Sequence, residues 1–538
     1  MADLTVTASD APAPGRAAPA PATPAAYTPP APLTGTPLIL GTLALSLATF
    51  MNVLDSSIAN VSLPAISGDL GVSPTQGTWV ITSFGVANAI SVPLTGWLTQ
   101  RFGAVRLFTA SVLLFVLASW LCGFAPSLEA LIGFRVLQGL VAGPMIPLSQ
   151  TLLLSSYPPA KAGMALAMWA MTTLIAPVTG PLLGGWITDN MAWPWIFYIN
   201  VPVGLVAAFV AWRIYKPRET PIRKLPIDTV GLGLLVLWVG ALQIMLDKGK
   251  ELEWFESGQI IALGVVALVG FVIFVAWELT AEHPIVNLRL FARRNFLFGS
   301  LALAVAYGLF FGNVVLLPLW LQQFMGYTAT YAGFAMAPVG LLAIVLSPWV
   351  GKNVGRIDPR RLATVAFLSF ALVLWMRSHF TTQTDLGTIL IPTLMQGAAL
   401  AFFFIPLSAI TLSGLKPEQI PAASGLSNFA RITAGAMGTS IATTVWENRA
   451  TLHHVHMVEN LPATNPGMVG AMELLTRAGM TMEQAAAQIN NLINQQAFTR
   501  AADDIFLVSA WMFLALIPVV WLARPARGQA SVDAGGAH

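Results

Sequence analysis

The run Gly258-Gln259-Ile260-Ile261-Ala262-Leu263-Gly264-Val265-Val266-Ala267-Leu268-Val269-Gly270-Phe271-Val272-Ile273-Phe274-Val275-Ala276-Trp277 contains no charged side chain. At 1.5 Å per residue, a helix of about 20 such residues covers the roughly 30 Å hydrocarbon core of a bilayer. Its apolar residues are continuous and do not alternate with period two, so it reads as a helix and not as a strand of a membrane barrel. Comparable runs fall at 37–62, 77–99, 105–124, 128–154, 163–188, 195–215 and 228–246 before it. After it they fall at 296–321, 331–352, 361–378, 386–412, 422–446 and 503–523. With 258–279 itself this predicts an all-α integral membrane protein of fourteen spans.

Composition agrees. The 538 residues are 56% hydrophobic and 9% charged, against roughly 25% charged in soluble domains. A soluble chain of this size would lack the polar groups to cover its surface. The net charge of +3 gives no reason to expect a nucleic-acid partner. Cys122 is the single cysteine and lies in an apolar run, which excludes an intrachain disulfide and a thiolate metal cluster. No metal or other cofactor is expected.

Placement of Lys and Arg sets the orientation. With a cytoplasmic N-terminus, nineteen fall on inside segments, among them Arg101, Arg106, Lys161, Lys216, Arg218, Arg223, Arg289, Arg293, Arg360 and Lys416. Six fall outside: Lys248, Lys250, Arg377, Arg449, Arg477 and Arg500. Both termini are therefore expected in the cytoplasm. The Ala/Pro-rich residues 1–36 read as a disordered cytoplasmic tail without signal-peptide features, and 524–538 as a second tail. Between them, 37–215 and 296–523 read as six-helix bundles. Residues 228–279 add two spans, joined to the bundles by linkers 216–227 and 280–295.

Two stretches repeat. Pro147-Leu148-Ser149 is followed by Pro158, and Pro406-Leu407-Ser408 by Pro417 at the same offset. Gln138-Gly139 precedes the first copy and Gln396-Gly397 the second. Both lie in spans running from outside to inside, which fits parallel halves related by an axis along the membrane normal. The competing account is chance among Pro, Leu and Ser.

Charged residues inside spans are costly and need a reason. Asp55 in span one and Arg135 in span four each lie roughly 10 Å below the outer surface, about seven residues in. A carboxylate beside a guanidinium holds its charge while the pair stands; once the pair opens in an apolar site, burial favours the protonated form. The residues alone leave open a proton switch or a static ion pair joining two helices. Arg431, mid-depth in span thirteen, has no evident acidic neighbour; Gln396 and Asn428 lie near its depth. It reads equally as a site for anionic substrates or as a structural donor. Tyr307, Phe310, Phe311 and Asn313 in span nine are candidates for the wall of an apolar cavity with few polar anchors, or for ordinary packing. In span five Pro177 and Pro181 bend the helix. Gly180 and Gly184 form a small-residue face that reads as a pivot or seal between the halves.

Several motifs resemble the major facilitator superfamily, specifically its fourteen-span drug:proton antiporters of the EmrB/QacA type. They are Leu54-Asp55-Ser56-Ser57-Ile58-Ala59-Asn60-Val61-Ser62-Leu63-Pro64, Gly96-Trp97-Leu98-Thr99-Gln100-Arg101-Phe102-Gly103 and Arg135-Val136-Leu137-Gln138-Gly139. Gly180-Pro181-Leu182-Leu183-Gly184-Gly185, Trp195-Ile196-Phe197-Tyr198-Ile199-Asn200-Val201-Pro202 and Leu246-Asp247-Lys248-Gly249 complete the set. Together they cover nearly the whole chain after residue 36. The resemblance implies export of hydrophobic or amphipathic compounds across a bacterial inner membrane, driven by the proton gradient, with Asp55 and Arg135 as the coupling pair. It implies conformational roles for Gly96, Arg101, Gly103, Gln138, Gly139, Pro177, Gly180, Pro181, Gly184 and Gly185. It also implies partners: an EmrA-type periplasmic adaptor, meeting the outer segment 447–502, and a TolC-type outer-membrane channel. Gln100 departs from the family's usual aspartate, which puts any latch built on that charge in doubt.

No Gly-x-x-x-x-Gly-Lys-Ser/Thr occurs, so ATP binding by a P-loop is not expected. A facilitator, or an exporter of one metabolite such as a fatty acid, is the alternative within the same fold. An embedded enzyme would need a cluster of His, Asp or Ser at one depth, and none is apparent. His453, His454 and His456, in the outer segment, lack cysteine or a clear carboxylate partner and read as solvated loop residues. Met472, Leu475, Ile489, Leu492 and Ile493 suggest short amphipathic helices there.

Overall fold

The computed structural model describes residues 31–158, 161–223, 226–461 and 465–525. The expectations for tail residues 1–30 and 526–538 lie outside these. The first bundle holds α1 (Gly35–Asp69), α2 (Trp79–Phe102, tightened by a 3-10 turn at Val92–Leu94), α3 (Ala104–Gly123), α4 (Leu128–Ser156), α5 (Ala162–Asn190) and α6 (Trp195–Arg218). Then come α7 (Thr229–Lys248) and α8 (Gly258–Thr280). The second bundle holds α9 (Arg294–Gln323), α10 (Tyr331–Asn353), α11 (Pro359–Arg377), α12 (Leu386–Leu412), α13 (Ile420–Glu459) and, after the short α14 (Pro466–Arg477), α15 (Met482–Trp521).

Among the described residues, twelve helices are long and apolar enough to cross a membrane: α1 to α4, α6 to α12, and α15. The other two sequence runs are helical as well, in α5 and α13. Ser424, Ser427, Asn428 and Arg431 dilute the hydrophobicity of α13, and all four are buried. Its polar side is turned into the protein, not toward lipid. On α8 the opposite holds: Val265, Leu268, Phe271 and Val272 are exposed, as suits a helix whose solvent is hydrocarbon.

Helix ends are set locally. Ser127 Oγ accepts from Ala130 N–H to start α4, Asp228 caps α7 through Gly231 N–H, and Thr481 opens α15 with a reciprocal capping box to Gln484.

The two bundles repeat one packing plan. In the first, α1 lies along α5, α2 along α4, and α3 along α6; in the second, α9 lies along α13, α10 along α12, and α11 along α15. The Pro-Leu-Ser repeat falls in α4 and α12, equivalent members of this plan. α7 and α8 pack on each other, and α7 also touches α2 and α13.

The bundles are in close contact at the end carrying Arg101, Arg106, Arg223 and Arg293, here called the basic end. A β-carbon on Gly163 would strike the Gly351 carbonyl, and one on Gly351 the Gly163 carbonyl, so α5 and α10 cross there backbone to backbone. Gly96 of α2 lies against Ala422 of α13 in the same way. Across α4 and α13, Ser424 Oγ donates to Gln150 Oε1, and Asn428 Nδ2 reaches the same oxygen at 3.3 Å.

Segment 447–502 corrects one expectation. It is mostly helix, because α13 continues unbroken to Glu459 and α15 begins at Met482. α14 is the short amphipathic helix between them, with Val469 and Leu474 exposed.

Candidate functional site

Asp55 sits in α1 where three other helices converge. Arg135 of α4 donates from Nη1 to Asp55 Oδ2 at 2.6 Å, and Gln138, one turn along, donates from Nε2 to Oδ1 at 3.0 Å. Asn200 of α6 donates to the same Oδ1 at 2.8 Å. Arg135 is itself anchored: its Nε donates to Val80 O at 3.0 Å, its Nη1 also reaches Gln138 Oε1 at 2.7 Å, and the Phe84 ring lies 4.3 Å from Cζ. Asn200 holds Ser119 Oγ at 3.0 Å, and Ser119 donates to Phe197 O. Asp55 is 2% exposed and Arg135 1%. This carboxylate is fully hydrogen-bonded and dry, in direct contact with one guanidinium. Such a pair holds together four helices only while it is complete, since removing one partner of a buried ion pair costs about 3–5 kcal/mol.

Sequence reading paired Asp55 with Arg135 but gave no role to Asn200, Ser119 or Phe84. Asn200 was visible as an amide inside the apolar run 195–215. Gly139 lets α4 approach the Phe84 carbonyl and thereby sets Arg135 at Val80.

The glycines of α5 act at the same site. Gly180 leaves no room for a β-carbon against Ser57, and Gly184 lies against Ile58, so the expected small-residue face packs on α1 beside Asp55 and not between the bundles. Gly185 faces open space. The side chains of Pro177 and Pro181 lie outside the described residues.

At the basic end, the acid that Gln100 does not provide comes from elsewhere. Glu219, just past α6, accepts from the backbone N–H groups of Val105 and Arg106 at 2.9 Å each, and Thr220 Oγ1 accepts from Ala104 N–H. Gly103, at φ +88°, turns the chain there with the Glu219 side chain against it. Arg101 stands in the last turn of α2 beside this turn.

The second bundle holds a related cluster. Asp55 and Gln138 are 83 residues apart, and so are Asn313 and Gln396. Asn313 thus stands at the place of Asp55. It donates to Leu309 O at 2.6 Å and to Ser509 Oγ of α15 at 3.0 Å, and it lines a groove of about 430 Å³ between α9, α13 and α15. Gln396 does not approach Arg431, as its depth suggested; it accepts from Arg377 Nη2 at 2.7 Å, with Thr393 Oγ1 at 3.2 Å. Arg377, assigned from sequence to an outer loop, is 0% exposed. The equal spacing relates Asn313 to Gln396 but not to Arg377, since Thr393 holds the place of Arg135; the position of Arg377 at a helix end concealed it.

Arg431 lies where the bundles meet. It donates to Asn428 Oδ1 at 2.8 Å and rests over the Tyr307 ring at 4.6 Å. Tyr307 packs on Phe311 at 4.5 Å, and Phe310 touches both rings and links them to Phe370 within the second bundle. At the end opposite the basic end His453 pairs with Asp504 at 2.8 Å, which also holds Arg449 at 3.0 Å, and His454 meets Asn490 Oδ1. A carboxylate partner therefore exists, but among the described residues no three ligand-type side chains form a metal site.

Comparison with known proteins places these features. Residues 45–439 match the family model described as Major Facilitator Superfamily. The chain is 52% identical to the multidrug export protein EmrB of Escherichia coli (strain K12), over 94% of this chain and 99% of that one. It is 50% identical to the fatty acid resistance protein FarB of Neisseria gonorrhoeae, over 92% and 97%. The crystal structure of the human organic anion transporter MFSD10 (TETRAN) shares the fold at TM-score 0.60 and 12% identity, covering 90% of this chain and all of that one. A repeated six-helix plan, motifs across both halves and relatives along nearly its whole length mark this chain as a membrane transporter belonging to the Major Facilitator Superfamily.

Proposed function

We propose that the chain exports hydrophobic and amphipathic compounds across the bacterial inner membrane by alternating access, taking up protons in exchange. The observation that carries this reading is the Asp55 carboxylate, dry and shared among Arg135, Gln138 and Asn200. Proton uptake by Asp55 cancels its charge and removes the reason for Arg135 to stay beside it. The four helices joined there are then free to adopt a second packing. Because Gly180 and Gly184 seat α5 directly on this part of α1, and the same α5 crosses α10 at Gly163, a shift at Asp55 is passed to the contact between the bundles. Multidrug export by the EmrB relatives supports the cargo class. The fatty acid resistance of the FarB relative fits it too, since a fatty acid is an amphiphile.

In this reading α5 and α13 also cross the bilayer, which makes fourteen spans with both termini and the basic end in the cytoplasm. The helical projection from α13 through α14 to α15 then stands in the periplasm, placed to meet an adaptor of a tripartite pump. Purified protein in proteoliposomes should drive a lipophilic dye uphill under an imposed pH gradient. Accumulation that persists unchanged after a proton ionophore collapses the gradient would make the chain a facilitator or a differently driven pump. Replacing Pro466–Arg477 by a short linker should abolish adaptor recovery in pull-down; full recovery would remove the projection from the proposal.

A further inference from the structure

Arg431 is 2% exposed, and its Nε and Nη1 have no hydrogen-bond partner among the described residues. Guanidinium does not shed its charge in proteins, so this is a permanent buried cation. Arg135 shows how such a group is normally held, with a carboxylate at 2.6 Å. Its Nη2 donates to Asn428 Oδ1 at 2.8 Å; otherwise it meets ring faces, Tyr307 at 4.6 Å and Trp169 and Phe404 at 5.6 Å each. These attract a cation but cannot accept the N–H groups of Nε and Nη1 in line. The small cavity before it, about 10 Å³, is lined by Gln150, Trp169, Ser408, Ser424, Ser427 and Asn428 among others, and no Asp or Glu takes part. It lies between the bundles, with Gln150 and Trp169 from the first and the rest from the second.

We infer that Arg431 is the counter-ion for the headgroup of an amphiphilic monoanion, and that this headgroup displaces the Gln150 bridge between the bundles. The inference rests on the exporter reading and names its cargo class. The present cavity holds no more than a water, so a carboxylate enters only as α4 and α13 separate. Separation breaks the bonds from Ser424 and Asn428 to Gln150 Oε1. The two released donors then face the same space as the free Arg431 donors, and one carboxylate accepts from all of them. Cargo and Gln150 compete for the same groups, so loading opposes closure of the basic end. The rings of Tyr307, Phe404 and Trp169 supply the apolar wall for the tail.

The test uses full-length protein in proteoliposomes with an imposed pH gradient and two labelled probes sharing a twelve-carbon tail, dodecanoate and dodecyltrimethylammonium. Wild type should transport dodecanoate. In Arg431→Gln the ratio of dodecanoate to dodecyltrimethylammonium transport should fall at least tenfold, and Arg431→Lys should recover most of it. An unchanged ratio in Arg431→Gln, or a wild type that moves only the ammonium probe, overturns the inference while leaving the exporter reading intact. Failure of wild type to move either probe or any lipophilic dye would instead remove the exporter reading itself. Should Arg431→Gln not fold, Gln150→Leu decides: freeing Ser424 and Asn428 should tighten dodecanoate binding at least threefold with little change for the ammonium probe. Equal affinity to wild type refutes the exchange of partners.

Discussion

Replacing Arg135 by Met tests whether the buried network is one cooperative unit. The change removes the 2.6 Å bond to Asp55 Oδ2, the bond to Gln138 Oε1 and the Nε bond to Val80 O. It leaves a carboxylate held only by two neutral amides, from Gln138 and Asn200. Loss of one partner of a buried pair costs about 3–5 kcal/mol. Asp55→Asn should cost somewhat less, because the guanidinium keeps Val80 O and Gln138 Oε1. In the double variant neither charge is stranded, so its cost should fall short of the summed single costs by roughly 2 kcal/mol or more, within the range for directly contacting groups. Unfolding titrations in mixed micelles, followed by circular dichroism, give the four free energies. Additivity within about 0.5 kcal/mol would refute the claim that the two side chains hold each other.

Further predictions are local. Gly180→Ala should lose transport and about 1–3 kcal/mol of stability through overpacking on Ser57, whereas Gly185→Ala, facing open space, should stay within roughly 0.5 kcal/mol; equal effects would refute the packing account. Glu219→Ala should cost about 0.5–2 kcal/mol by uncapping α3, with faster amide exchange at Val105 and Arg106; unchanged exchange would show that Glu219 does not cap. Asp358, at the basic-end start of α11, is held below the usual carboxylate range by its hydrogen bond to the Arg360 guanidinium. A depressed carboxylate stabilises the fold above its unfolded pKa and loses that contribution as pH falls through the folded value. The stability difference between wild type and Asp358→Asn should therefore be constant from pH 8 to 5 and shrink below about pH 4; a difference that grows on acidification would contradict the assignment.

Much of this was legible from the chain because lipid imposes simple rules. Uncharged runs of the right length became helices, since a bilayer leaves the backbone no other partner. Asp55 and Arg135 stood out because charge is rare in such runs, and equal depth was enough to pair them. Depth failed where several polar groups share it. Gln396 was near Arg431 in height but faces Arg377 of α11, because depth alone does not fix which way a side chain points around its helix. Gly180 was read as a contact between bundles because spacing reveals a small face, not which helix covers it. The segment 447–502 looked like a loop because its polar residues end a span by composition, yet their helix propensity carries α13 and α15 onward.

In the proposed mechanism Asp55 is the group through which protons drive export. The direct measurement is proton flux in proteoliposomes at a fixed pH gradient, read by an internal pH dye when a transported amphiphile is added to wild type and to Asp55→Asn. Cargo should trigger a proton flux in wild type and none in Asp55→Asn, even with the variant folded, inserted and able to bind the cargo. A folded Asp55→Asn protein that still exports uphill with wild-type pH dependence would contradict it.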